Sequence, residues 1–242
     1  MVNNAISSDS NKISISSWLW DFLIFFIFVV LSGYSIHYAM KVPNVLLEQG
    51  LSHRIFYFHV PVAWVALYGP LFSFIASIFY LLTRNLKFDR MSFALNQVSL
   101  IFAIGVLFSG PIWAYSAWGV PWDWTDARLQ SFFILCLSLF GYFIFRSLIP
   151  NPIKKAMIGA YLTILCGVNA VLTWGAIRWI DNPGNHPSSV LGKGGMETDM
   201  RIAFYLNVLA FHILFLVFIR IAYRLENIQN FRNIIKASMD DE

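Results

Sequence analysis

Residues 18–40 read WLWDFLIFFIFVVLSGYSIHYAM, a run whose single formal charge is Asp21. A helix that crosses a bilayer needs about 20 consecutive, mostly apolar residues, and this stretch supplies them. Five further segments do the same: 61–82, 91–112, 129–148, 156–177 and 202–223. Only helices and closed barrels satisfy every backbone group in hydrocarbon. None of these runs shows the two-residue alternation of a barrel strand. The reading is an all-α integral membrane protein, one domain over residues 1–242 built as a bundle of six transmembrane helices.

Composition agrees. The chain has 242 residues, 58% hydrophobic, 17% aromatic and 12% charged, where a soluble domain carries roughly a quarter charged residues. Mean hydropathy is +0.63. So much apolar surface excludes a water-soluble globule, because one core of this length could not hide it. Segment 18–40 is too long for the apolar region of a signal peptide and no small-residue cleavage site follows it, so it is read as a retained first span.

Basic residues set the orientation. One side collects Lys12, Arg84, Lys87, Arg90, Arg146, Lys154, Lys155, Arg220, Arg224, Arg232 and Lys236. The other has Lys41, Arg54, Arg128, Arg178, Lys193 and Arg201. Short cytoplasmic loops are enriched in Lys and Arg. Both termini, including a polar tail over 224–242, are therefore expected in the cytoplasm, with the first, third and fifth loops outside.

The cytoplasmic loops, 83–90 and 147–155, are short; Pro150 and Pro152 punctuate the second. No nucleotide loop, zinc spacing or hydrolase elbow occurs. Cys136 and Cys166 both lie in spans and read as small buried side chains. The spans look nearly devoid of polar breaks, broken helices or paired charges at the midplane, which argues against a channel or secondary transporter. Function is expected on the outer face.

The third loop, 113–128, reads WAYSAWGVPWDWTDAR. A membrane-interface belt would account for scattered tryptophans. Here Trp118, Trp122 and Trp124 surround Gly119 and Pro121, and a shelf of indoles suits a large planar ligand. Asp126 and Arg128 open the next span, where an Asp also complements the helix dipole. In the first outer loop, Pro61 suits a first helical position and so puts His59 just before the second span. In the fifth, Pro183, Gly184 and Pro187 bracket His186. A lone histidine is more often a hydrogen-bonded bystander than a ligand. Two imidazoles beside indoles, with Arg54, Arg128 and Arg178 at the same level, match the needs of haem: axial ligands, apolar packing and donors for two propionates. His212, mid-span, reads as a hydrogen-bonded helix contact. His37 and His53 are at most supporting residues.

These residues resemble the haem-handling protein family of cytochrome c assembly with a tryptophan-rich (WWD) domain, most closely its maturation protein C (CcmC) branch. The resemblance covers nearly the whole chain and rests on six spans, the WGVPWDWTDAR stretch, HVP at His59 to Pro61, and an outer His186. It implies that Trp118, Gly119, Trp122, Trp124, Asp126 and Arg128 form a haem platform and that His59 and His186 are axial ligands; the residue reading sets Arg54 and Arg128 toward the propionates. Thr125 is an extra residue relative to the family pattern, so either Asp126 or Asp123 takes the place of the family aspartate. The resemblance further implies a non-enzymatic protein of the bacterial inner membrane. It would bind haem b transiently at the periplasmic face and deliver it to the haem chaperone CcmE, alongside the ATP-binding cassette subunits CcmA and CcmB and the small membrane subunit CcmD, with no nucleic acid. The competing class is a b-type cytochrome-like electron-transfer subunit, which would bury its haem between histidines inside spans.

Overall fold

The computed structural model describes residues 15–44, 50–180 and 196–240. Six α-helices organise them: α1 (Ile15–Lys41), α2 (Phe56–Thr83), α3 (Leu86–Trp118), α4 (Ala127–Ser147), α5 (Pro152–Trp179) and α6 (Thr198–Asp240). A 3₁₀ turn, Leu51–Ile55, feeds α2. Six spans of sufficient length and apolarity lie in these elements, so the chain is a six-span membrane bundle.

Local chemistry sets the helix ends. The side chain of Asn85 accepts from the Lys87 amide at 3.0 Å and starts α3. Asn151 accepts from Ile153 and Lys154 at 3.1 and 3.0 Å, with Pro152 at the first helical position of α5. Such caps satisfy amides that have no partner within the helix. Gly119, at φ 78°, ends α3 in the left-handed conformation that glycine adopts without strain.

Helix α2 is central and packs on α3, α5 and α6; α3 also meets α6, α4 lies mainly on α5, and α1 rests on α6. Small residues allow the closest approaches. A Cβ on Gly69 would run into the Ser99 side chain, and one on Gly167 into the Phe74 ring. The main core gathers Val65, Leu95, Val98, Phe102, Leu139 and both cysteines, which are buried and free. Large apolar side chains such as Phe22, Phe26 and Val30 on α1 face outward, as lipid contact requires.

Three features depart from the sequence reading. First, the spans are not devoid of polar pairs. Ser73 donates to the Ser92 carbonyl at 2.8 Å, the Ser77 and Ser92 hydroxyls lie 2.8 Å apart, and Asn96 donates to Thr163 at 2.8 Å, forming a buried seam through α2, α3 and α5. Beyond it Arg146 grips Asp89 through two hydrogen bonds of 2.8 and 2.7 Å, with the Phe93 ring 4.9 Å from the guanidinium. Asp21 ties α1 to Arg220 and Arg224 of α6. Each partner lies on a different helix, so a scan along one segment sees isolated polar residues where the fold makes pairs. Second, α2 begins at Phe56, which makes Pro61 an internal residue and His59 a residue of the first helical turn. The 3₁₀ turn hands the chain into the α-helix upstream of the proline. Third, α6 runs unbroken past Arg224 to Asp240.

Candidate functional site

The ends of α2, α3 and α4 place the tryptophan-rich segment at one end of the bundle. Helix α3 continues through Trp113 to Trp118, so the loop expected over 113–128 shortens to 119–126. Polarity alone did not mark this boundary, because the residues from Trp113 to Trp118 are compatible with either a loop or a last helical turn and a half. Gly119 supplies the actual stop, its amide donating to the Tyr115 carbonyl at 3.0 Å.

One aromatic set centres on His59. The imidazole lies edge-on to Trp113, ring centres 5.6 Å apart, and Trp113 stacks on Trp118 at 6.4 Å and 28°. Phe56 closes the other side of Trp113 at 6.2 Å. His59 Nδ1 is 2.8 Å from the Ser109 hydroxyl on α3. That hydroxyl is itself 2.8 Å from the Gly105 carbonyl, to which it donates its single hydrogen. Ser109 therefore accepts from His59 Nδ1–H, and this tautomer puts the ring's lone pair on Nε2.

A second set packs against α4. Trp122 and Trp124 meet edge-on at 5.5 Å, and both lie against Phe133 of α4, at 6.0 and 5.8 Å. Among the described residues Trp118 stacks on Trp113, while Trp122 and Trp124 meet each other and Phe133 of α4, with the turn at Gly119 between the two sets. Trp113, which sequence reasoning treated only as the start of a loop, is the residue that connects His59 to Trp118.

The two aspartates do different work. Asp126 is 0% exposed and caps α4, accepting from the Arg128 and Leu129 amides at 3.0 and 3.1 Å. Asp123 accepts from the Thr125 amide and hydroxyl at 2.8 and 2.7 Å, and these donors hold its carboxyl below the usual carboxylate range. Thr125 therefore anchors a turn between the two acids.

Of the remaining candidates, Arg54 sits in the 3₁₀ turn and Arg128 in the first turn of α4, both part-buried. Arg178 folds back over Trp174, 4.1 Å from the ring centre. His186 lies outside the described residues. His37 is exposed on α1. His212 bonds the Val208 carbonyl through Nδ1 at 2.7 Å, a contact within its own helix. His53 is 1% exposed, its Nδ1 2.8 Å from the Gly50 carbonyl. Among the described residues no group of three or more His, Cys, Asp or Glu side chains is placed to hold a metal ion.

Comparison with known proteins places the chain in a lineage. A family model described as "Heme exporter protein C" matches residues 4–237. The "Heme exporter protein C" of Bradyrhizobium diazoefficiens is 30% identical over 69% of this chain and 66% of its own length. The protein of the same name from Paracoccus denitrificans is 30% identical over 74% of this chain and 75% of its own. A "Putative cytochrome c biosynthesis ccmC-like mitochondrial protein" of Arabidopsis thaliana is 32% identical over 57% of this chain and 49% of its own. The chain belongs to the heme exporter protein C family.

Proposed function

We propose that this protein receives haem b at the membrane face carrying its tryptophans and passes it to a haem chaperone of the CcmE kind for c-type cytochrome assembly. The observation that carries this reading is the His59 arrangement. Metal-ligating histidines characteristically have the other ring nitrogen held by a hydrogen bond, which fixes ring orientation and tautomer. Ser109 does this for His59, and Trp113 and Trp118 add flat apolar surface beside the ring. His186 is the second axial ligand in this proposal, while Trp122, Trp124 and Gly119 complete the platform that Asp126 anchors by capping α4. Arg54 and Arg128 meet the propionates.

His59 comes from the edge of the bundle, which keeps the haem releasable, as transient binding demands. Haem itself supplies the iron chemistry; this chain's residues orient it, shield its faces and neutralise its carboxylates. The face is periplasmic, with both termini cytoplasmic in the bacterial inner membrane, and ATP-binding subunits of the CcmA and CcmB type and a small CcmD-type subunit complete the complex. The family membership and the absence of a nucleotide-loop motif from the sequence support that division of labour.

The test is the absorption spectrum of detergent-purified protein co-expressed with the chaperone, wild type beside His59→Ala and His186→Ala. Copurified haem whose Soret band shifts or vanishes in the variants supports the reading. A haem-free wild type with a fully loaded chaperone rejects it and leaves the tryptophan segment as a docking surface.

A further inference from the structure

Buried polar side-chain atoms are nearly always hydrogen-bonded, in about 90% of cases or more. Around the outer end of α2 that rule is broken repeatedly. Among the described residues, His53 Nε2, Arg54 Nε and the Tyr57 hydroxyl are all buried without a hydrogen-bond partner, and so is the Trp113 indole nitrogen. The first three belong to one turn of chain where the 3₁₀ segment becomes α2. Tyr57 is 0% exposed and sits edge-on to His53, ring centres 5.9 Å apart. His53 is pinned through Nδ1 to the Gly50 carbonyl, and its ring packs against the phenol. The charged groups acting on the phenol are Arg54 and Glu197.

Arg54 Nε–H, Tyr57 O–H and Trp113 Nε1–H are three donors, and one belongs to a cation. Desolvated donors of this kind are costly unless an acceptor, best an anion, meets them. A planar carboxylate offers two oxygens with about four lone-pair positions. We propose that Arg54 and Tyr57 form a carboxylate-binding pocket for one haem propionate, with His53 as the residue that positions Tyr57. This rests on the haem reading above and goes beyond it. Of the two propionates, one is received where the 3₁₀ turn enters α2; Tyr57, not a candidate from sequence, and His53, read from sequence as at most a supporting residue, are part of that site.

The experiment compares haem with haem dimethyl ester, which keeps the iron and the ring but has no carboxylate. Each is titrated into protein in nanodiscs while the Soret band is followed. Wild type should bind haem about tenfold more tightly than the ester, the equivalent of about 1.4 kcal/mol for one charge-assisted hydrogen bond. Tyr57→Phe, which keeps the ring and its packing, should weaken haem by a similar factor, leave the ester within about twofold, and leave the Soret position unchanged. Arg54→Gln should remove the discrimination. The same titrations in nanodiscs with and without phosphatidylglycerol separate the two anion sources: if anionic lipid competes away the discrimination, the pocket belongs to a lipid phosphate and the proposal is overturned. Equal loss for haem and ester in Tyr57→Phe, or no loss, also overturns it. A wild type that binds neither compound, or binds both independently of His59, would instead remove the haem reading itself.

Discussion

His59 of α2 is held by Ser109 of α3 through a 2.8 Å contact between Nδ1 and Oγ, and the serine passes its own hydrogen to Gly105. The neighbouring helix therefore takes part in setting the imidazole's orientation. Ser109→Ala should leave the fold intact and weaken haem binding about 10- to 100-fold, the usual cost of losing the partner behind a metal ligand. Ser109→Thr, which keeps the hydroxyl, should recover most of the affinity. Haem titrations of both variants check this, and equal affinity in Ser109→Ala and wild type would mean that the hydrogen bond is incidental.

Asp126 is buried, yet its visible work is capping. Asp126→Ala should lower stability by about 1 kcal/mol through the lost cap, read as a lower melting temperature in detergent. Asp126→Asn can accept the same two amide bonds and should remain near wild type. If Asn is as damaging as Ala, the carboxylate's charge matters and the cap does not account for its burial.

The Asp89–Arg146 pair, with both side chains 11% exposed, predicts a clear non-additivity. Removing one partner of a buried ion pair costs about 3–5 kcal/mol because it strands the other charge. Asp89→Leu or Arg146→Met alone should be severely destabilising, and the double variant substantially less so. Thermal unfolding of the four proteins gives the cycle; additive losses would show that the pair is not coupled.

Gly69 admits the close approach of α2 to α3. A Cβ there meets the Ser99 side chain, so Gly69→Ala should destabilise by about 1–3 kcal/mol through overpacking. Adding Ser99→Ala removes the obstructing oxygen and should restore part of the loss. A Gly69→Ala protein with an unchanged melting temperature would place the helices further apart than the structure does.

Sidedness can be read by labelling. With Cys136 and Cys166 replaced by alanine, Val120→Cys in the tryptophan loop should react with a membrane-impermeant maleimide from the periplasm of intact cells. Arg84→Cys should react only after the membrane is opened. The reverse pattern would invert the proposed topology.

The six spans were legible in sequence because a long apolar helix is a one-dimensional object: length and composition suffice, and the helices found overlap all six predicted segments. His59 and the tryptophans stood out for the same reason, being unusual residues in a conspicuous run. Their grouping was not legible. Whether Trp118 stacks on Trp113 or joins Trp122 depends on how far α3 continues before Gly119 turns the chain. That in turn depends on packing of Trp113 against Phe56 and His59 of α2. The pairing of His59 with Ser109, 50 residues away, and of Asp89 with Arg146, 57 residues away, likewise required two helices to meet. Sequence by itself determined that the chain lives in a membrane and which segments cross it, since hydrocarbon imposes that choice on each segment separately. Only the tertiary structure decided which polar and aromatic side chains share a site, because a hydrogen bond or ring contact is a relation between helices and has no signature in either one alone.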